Sequence, residues 1–262
     1  MRRPARYFLS CLVVAPFYAS TCSAQSGWVR QQSGTTRNLY GVQFNHGNEN
    51  MAWACGDSGT IVFTSNGGAT WAPQNSGTTK NLYAITFMEV AGDPVIAVGE
   101  GGTILYTTNN GTTWIHESSP TTRTLRDVSD FRFVAVGDSG TILKSTDNGV
   151  TWSPRQSGTT RRLNAAAGFT PYYAVGDSGM ILRSTNDGSD WAPISSGTAE
   201  NLYALPEAIR ASNLDWLIVG GNGCEQCTEC STPTRVLLMA ELSQSLQSDN
   251  CHQVSTTNNV AC

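Results

Sequence analysis

Ala135-Val136-Gly137-Asp138-Ser139-Gly140-Thr141-Ile142-Leu143 followed by Lys144-Ser145-Thr146-Asp147-Asn148-Gly149-Val150-Thr151-Trp152 is the stretch on which the fold turns. It reads as strand, tight turn, strand, second turn and a tryptophan that opens a further strand. Glycine with Asp or Asn supplies the positive φ that such turns need. The first half returns as Ala54-Cys55-Gly56, Ala97-Val98-Gly99, Ala174-Val175-Gly176 and Ile218-Val219-Gly220, each running into a turn like Asp57-Ser58-Gly59. Third strands follow at Thr60-Ile61-Val62, Thr103-Ile104-Leu105, Thr141-Ile142-Leu143 and Met180-Ile181-Leu182. The tryptophans Trp28, Trp71, Trp114, Trp152 and Trp191 are 43, 43, 38 and 39 residues apart. A period near 40 marks one supersecondary unit per copy.

Outward from this stretch, each copy begins with a hydroxyl-rich turn: Ser33-Gly34-Thr35-Thr36, Ser76-Gly77-Thr78-Thr79, Ser119-Pro120-Thr121-Thr122, Ser157-Gly158-Thr159-Thr160 and Ser196-Gly197-Thr198-Ala199. First strands open at Leu39, Leu82, Leu125, Leu163 and Leu202, and alternation predicts Tyr83, Ile85 and Phe87 on one side against Leu82, Ala84 and Thr86 on the other. Every copy is thus an antiparallel meander of four strands. Radial repetition of such meanders hides sheet edges, so the predicted fold class is all-β, a five-bladed β-propeller of four-stranded antiparallel blades. The last copy lacks a tryptophan strand after residues 234–242, whereas Gly27-Trp28-Val29-Arg30 precedes any first strand. This N-terminal strand is expected to complete the last blade and close the ring.

Alternating strand direction sends the hydroxyl-rich turns and the GDSG-type turns to one face and the tryptophan turns to the other. Arg37, Lys80, Arg123 and Arg161 directly follow the hydroxyl-rich turns, and Glu200 breaks the series. These four cations are the candidate partner-binding residues, suited to an acidic ligand. Asp57, Glu100, Asp138 and Asp177 stand in the other turns of the same face and offer a competing use of the cations, as neutralising pairs. Arg126, Asp127, Asp130 and Arg132 read as a solvated charged loop.

The repeated GDSG matches the surroundings of a protease serine, but His46, His116 and His252 are the only histidines and none occupies a repeated place. A serine nucleophile needs an oriented base, so no catalytic residue is assigned. The opening MRRPAR and the apolar run Tyr7–Ala19 read as a secretory signal ending at Ala24. The run is too short to span a bilayer and no later segment competes with it. Expected divisions are 1–24 signal peptide, 25–243 propeller and 244–262 a polar cysteine-containing tail, with a secreted, periplasmic or lumenal destination. Without residues 1–24 the chain carries 13 basic against 20 acidic side chains, a net charge of −7 that disfavours nucleic acid.

Six cysteines then remain. Cys55 takes the slot held by Val98, Val136, Val175 and Val219, which makes it a small core residue. Cys224, Cys227, Cys230, Cys251 and Cys262 are disulfide candidates in an oxidising compartment, with two bridges and one unassigned thiol expected; a zinc or iron–sulfur site is the competing use of the CxxCxxC run. No metal or other cofactor is assigned.

Ser145 to Trp152 resembles the Asp-box or BNR repeat, S-x-D-x-G-x-T-W, of sialidases, sortilin-like receptors and photosystem II assembly factors. Asn66, Asn109 and Asn186 stand where Asp147 does, and Trp71, Trp114, Trp152 and Trp191 close the boxes. The joint recurrence of SGTT, AVGDSGTIL and the box is most similar to the photosystem II stability and assembly factor branch. That resemblance implies structural boxes and an exported, non-enzymatic docking platform, and a monomer is expected. It further implies a protein partner, a membrane-protein assembly intermediate. The sialidase resemblance implies instead a carbohydrate-binding or glycoside-cleaving propeller, although the arginine-isoleucine-proline segment of sialidases is missing.

Overall fold

The computed structural model describes residues 30–45, 47–87, 94–129, 133–168, 171–205, 216–221 and 234–239, the last two stretches by backbone only. All of its strands fall in the unit Gln31–Cys262. The first sheet is β1 (Leu39–Asn45), β2 (Asn48–Gly56), β3 (Ile61–Thr64) and β4 (Ala72–Gln74), paired in that order. The second is β5 (Leu82–Phe87), β6 (Val95–Gly99), β7 (Ile104–Thr107) and β8 (Ile115–His116). The third is β9 (Leu125–Val128), β10 (Val134–Gly137), β11 (Ile142–Lys144) and β12 (Ser153–Arg155). The fourth is β13 (Leu163–Gly168), β14 (Tyr172–Gly176), β15 (Ile181–Ser184) and β16 (Ala192–Ile194). The fifth has three described strands, β17 (Asn201–Ala204), β18 (Trp216–Gly221) and β19 (Thr234–Met239). Every pairing is antiparallel, as the meander pattern predicts.

The core lies between sheets. Trp53, Cys55 and Ile61 of the first sheet pack on Leu82, Ile85, Phe87, Val95 and Leu105 of the second. Trp53 and Phe87 stack with centroids 5.9 Å apart and planes 9° from parallel. The same layer recurs between the second and third sheets with Trp152 in it, between the third and fourth with Trp191 against it, and between the fourth and Leu202 of the fifth. Burying each large apolar side chain contributes roughly 1.5–3 kcal/mol, so these layers hold successive sheets together.

Each first strand carries a β-bulge that the alternation does not reveal. Leu82 pairs with Gly99 and Ala84 with Val98, so Tyr83 is skipped. The bulge reverses the parity, and Leu82 therefore joins Ile85 and Phe87 in one layer while Ala84 joins the other. The expected grouping of Tyr83 with Ile85 and Phe87 is corrected accordingly.

The first sheet shows its outer face. Val42 and Phe44 are 57% and 49% exposed, whereas Ile85 and Phe87 at the matching positions are 5% and 2% exposed. A 280 Å³ cavity on this face is lined by Leu39, Val42, Ala54, Val62 and Trp71. The N-terminal strand, from Gly27 to Val29, and all of Cys224, Cys227, Cys230, Cys251 and Cys262 lie outside the described residues, as do the signal segment and the tail. Cys55 is a free, fully buried thiol whose pKa burial pushes up to about 12. Among the described residues no helix is long and apolar enough to cross a membrane, and no cluster of His, Cys, Asp and Glu could hold a metal ion.

Candidate functional site

The hydroxyl-rich turns place one side chain per sheet with the same local geometry. A threonine hydroxyl accepts a 3.1 Å bond from the amide two residues on: Thr35 from Arg37, Thr78 from Lys80, Thr121 from Arg123, Thr159 from Arg161 and Thr198 from Glu200. Such a side-chain-to-backbone bond fixes the turn. The turns of the second to fifth sheets also rest on the GDSG-type turn of the preceding sheet. Gly59, Gly102, Gly140 and Gly179 take φ of +71°, +75°, +68° and +67°, and a Cβ there would lie about 2 Å from the carbonyl oxygen of Thr78, Thr121, Thr159 or Thr198. Glycine alone permits this conformation together with the close approach. The two kinds of turn therefore interlock from sheet to sheet on one face.

All four candidate cations are exposed at this face. Lys80 extends over Gly101 of its own sheet's turn, and a guanidinium nitrogen of Arg161 donates to the Ser178 carbonyl at 3.1 Å. The turn acids have other partners. Asp57 accepts hydrogen bonds from the Tyr40 hydroxyl at 2.5 Å and from Asn38 at 2.9 Å. The Tyr40 bond holds the Asp57 carboxyl below its ordinary pKa, and the same bond pushes the Tyr40 phenol up. Asp138 takes Arg126 at 3.0 Å and Arg162 at 3.4 Å, and Asp177 takes Asn164 at 3.0 Å and Arg162 at 3.8 Å. Glu100 accepts from the Asn81 amide at 3.4 Å.

None of Arg37, Lys80, Arg123 and Arg161 forms an ion pair with a described residue, although the charge of Arg37 helps to hold the Asp57 carboxyl below its ordinary pKa through space, so direct pairing with the turn acids falls to other side chains. Arg126 and Arg162 do that work. Arg126, expected in a solvated loop, lies over the Tyr83 ring at 4.7 Å with its guanidinium on Asp138, and Asp127 accepts a 2.8 Å bond from the Ala166 amide of the next sheet. Asp130 and Arg132 lie outside the described residues.

On the opposite face the box residues bind their own turns. The Oδ1 atoms of Asn66, Asn109, Asp147 and Asn186 accept from the backbone amides of Thr70, Thr113, Thr151 and Asp190 at 2.8–3.0 Å. The same oxygens accept from the hydroxyls of Thr64, Thr107, Ser145 and Ser184. Asparagine can replace the aspartate because its second atom only exchanges roles. Asp147 accepts from the Thr151 hydroxyl, whereas Asn66 and Asn109 donate to Thr70 and Thr113. The indoles of Trp71 and Trp114 donate to Gln31 and Gln74, and those of Trp152 and Trp191 to the carbonyls of Gly149 and Gly188.

Repeated antiparallel meanders with tryptophan-closed turns give an all-β fold whose solved likenesses are β-propellers. Residues 20–119 match the family model described as photosynthesis system II assembly factor YCF48. The solved structures similar to the chain include YCF48 bound to D1 peptide, at TM-score 0.58 and 18% identity over 79% of this chain and 66% of that one. YCF48 from Cyanidioschyzon merolae gives TM-score 0.53 and 15% identity over 76% and 71%, and an ancestral GH74 enzyme gives 0.55 and 16% over 72% and 30%. No curated protein matches. The chain thus shares the fold of these β-propellers, and its residues 20–119 are similar to the photosystem II assembly factor family.

Proposed function

We propose that the chain is an exported, monomeric, non-enzymatic scaffold that docks an acidic segment of a protein partner on the face bearing Arg37, Lys80, Arg123 and Arg161. One observation carries this reading: four equivalent cations stand exposed and without ion pairs among the described residues, while Arg126, Arg162, Tyr40 and Asn164 occupy the neighbouring carboxylates. The match to the YCF48 family model and the fold shared with a YCF48 bound to a D1 peptide support a membrane-protein assembly intermediate as the partner. The finer architecture belongs to the same proposal: five blades in a ring that the N-terminal strand completes, with the last sheet seated on the Val42 and Phe44 face.

The test is a pull-down from the exporting cell with the wild-type chain and with Arg37→Gln/Lys80→Gln/Arg123→Gln/Arg161→Gln. A specific partner retained by the wild type and released by rising salt, but not retained by the variant, supports the reading. Equal retention by both chains refutes it. A glycan array and a fluorogenic sialoside assay should both be silent.

A further inference from the structure

The five bulges deliver one residue each to the same level of the first strands. Skipped between paired neighbours are Tyr40, Tyr83, Arg126, Asn164 and Tyr203, in the first to fifth sheets. A bulge leaves its extra residue outside the ladder and re-aims the side chain, at a cost in pairing that a fold repeats only where the placement is used. The placement here is contiguous. The rings of Tyr40 and Tyr83 lie 5.4 Å apart, and Arg126 stands over the half-buried Tyr83 ring at 4.7 Å. Tyr40 and Tyr203 remain 48% and 51% exposed, a large apolar surface for side chains so tightly placed. Each bulge residue follows the turn residue of its sheet by three positions, so Arg37 precedes Tyr40 and Lys80 precedes Tyr83.

We infer that the bulge residues form an aromatic platform, centred on the exposed ring of Tyr40 and backed by Tyr83, that receives an aromatic side chain of the partner while the partner's flanking carboxylates meet Arg37 and Lys80. This rests on the docking reading above and narrows its ligand to an acidic segment with an embedded aromatic residue. The chemistry is complementary at both levels. Aromatic rings prefer offset or edge contacts with other rings, and the hydroxyl of Tyr40 is already bound to Asp57, which leaves its ring free to act as an apolar surface. The guanidinium of Arg126 is used by Asp138, so the row offers rings and a neutralised cation rather than a second net charge.

The test uses the full chain and three fluorescein-labelled synthetic peptides, alternating Glu/Phe, Glu/Ser and Lys/Phe, read by fluorescence anisotropy at two salt concentrations. The Glu/Phe peptide should bind about tenfold tighter than Glu/Ser, the scale of one well-packed aromatic anchor. Tyr40→Ser/Tyr83→Ser should erase that ratio and leave the salt dependence, and Tyr40→Phe/Tyr83→Phe should keep it. Tyr40→Gln alone, at a half-exposed site, serves if the double variant fails to fold and should lower the ratio. Equal binding of Glu/Phe and Glu/Ser, or a ratio that survives the serine and glutamine variants, overturns the platform and spares the acidic-partner reading. Binding of neither acidic peptide, or preference for Lys/Phe, overturns both. A concentration-dependent rise in mass that Tyr40→Gln abolishes reassigns the platform to a second copy and overturns the inference.

Discussion

Gly101 and Gly102 are adjacent, both have positive φ, and the structure predicts opposite responses to a side chain. At Gly102, φ is +75° and a Cβ would fall 2.0 Å from the Thr121 carbonyl oxygen, so Thr121 must retreat by about 1.4 Å to restore an ordinary contact. At Gly101, φ is +68° but the nearest atoms are Lys80 Cε and Nζ at 3.9 and 4.0 Å. The matching residues Ser58, Ser139 and Ser178 occupy this conformation at φ 52°, 56° and 55°, so a non-glycine side chain is accommodated there. Gly101→Ser should therefore cost about 1 kcal/mol or less, since the left-handed penalty of roughly 1 kcal/mol is partly offset by a less flexible unfolded chain. Gly102→Ala adds displacement of a buttressed turn to that penalty and should cost about 3 kcal/mol. At roughly 2–4 °C per kcal/mol for a chain of this size, the two melting temperatures should differ by about 4–8 °C. Thermal and urea unfolding of both variants by circular dichroism provides the measurement. Because the Thr121 hydroxyl accepts from the Arg123 amide, Gly102→Ala should also weaken acidic-peptide binding in its folded fraction. If Gly102→Ala melts within about 1 °C of Gly101→Ser, the interlocking of turns between sheets is not the constraint described, since displacement should dominate the cost.

Three other outcomes are expected. Val42→Glu/Phe44→Glu should lower the melting temperature by more than about 5 °C if the terminal sheet seats on the first, and by less than about 1 °C if that face stays open, because only a covered site penalises the charges. Lys144 is 3% exposed, with its Nζ 3.2 Å from Asp187 and 5.2 Å from the centroid of the Tyr172 ring. Lys144→Met should be neutral or stabilising by about 1 kcal/mol in urea melts and Lys144→Ala destabilising by about 2 kcal/mol, since methionine keeps the packing without a buried ammonium. Burial pushes the Cys55 thiol from 9.0 to about 12, so the folded state keeps a proton that the unfolded state releases; stability should be unaffected below pH 9 and fall between pH 9 and 12, an effect that Cys55→Ser lacks.

Strands and turns were readable because their chemistry is local. Gly137 to Gly140 can form little except a turn, and the Asp147 box specifies its own hydrogen bonds whatever surrounds it. Cys55 was placed in the core by its alignment with Val98 and Val136, and it lies there with no exposure. The bulges left no such mark. A skipped residue between Leu82 and Ala84 changes no composition and no spacing, only the parity of the later strand residues, so strict alternation put Tyr83 in the wrong company. The partners of the turn acids were hidden for a different reason: Asp138 and Asp177 share Arg162, whose counterparts are Asn38, Asn81, Thr124 and Asn201, and a role held in one copy has no periodic signal.

The divergence is itself informative about what the face can do. Had every copy carried an arginine at the Arg162 position, each turn acid would have its own buttress and the row of cations would be redundant as counterions. With Arg162 alone bridging two carboxylates, the third and fourth sheets neutralise their acids internally, whereas Asp57 relies on Tyr40 and Asn38 and keeps its full charge. Screening from neighbouring acids is thus strongest beside Arg37 and weakest beside Arg123 and Arg161. An acidic segment without an aromatic residue, which the Tyr40 and Tyr83 rings do not anchor beside Arg37, should consequently lose more affinity from Arg123→Gln or Arg161→Gln than from Arg37→Gln, and a flat response across the row would mean that the carboxylates do not tune the face.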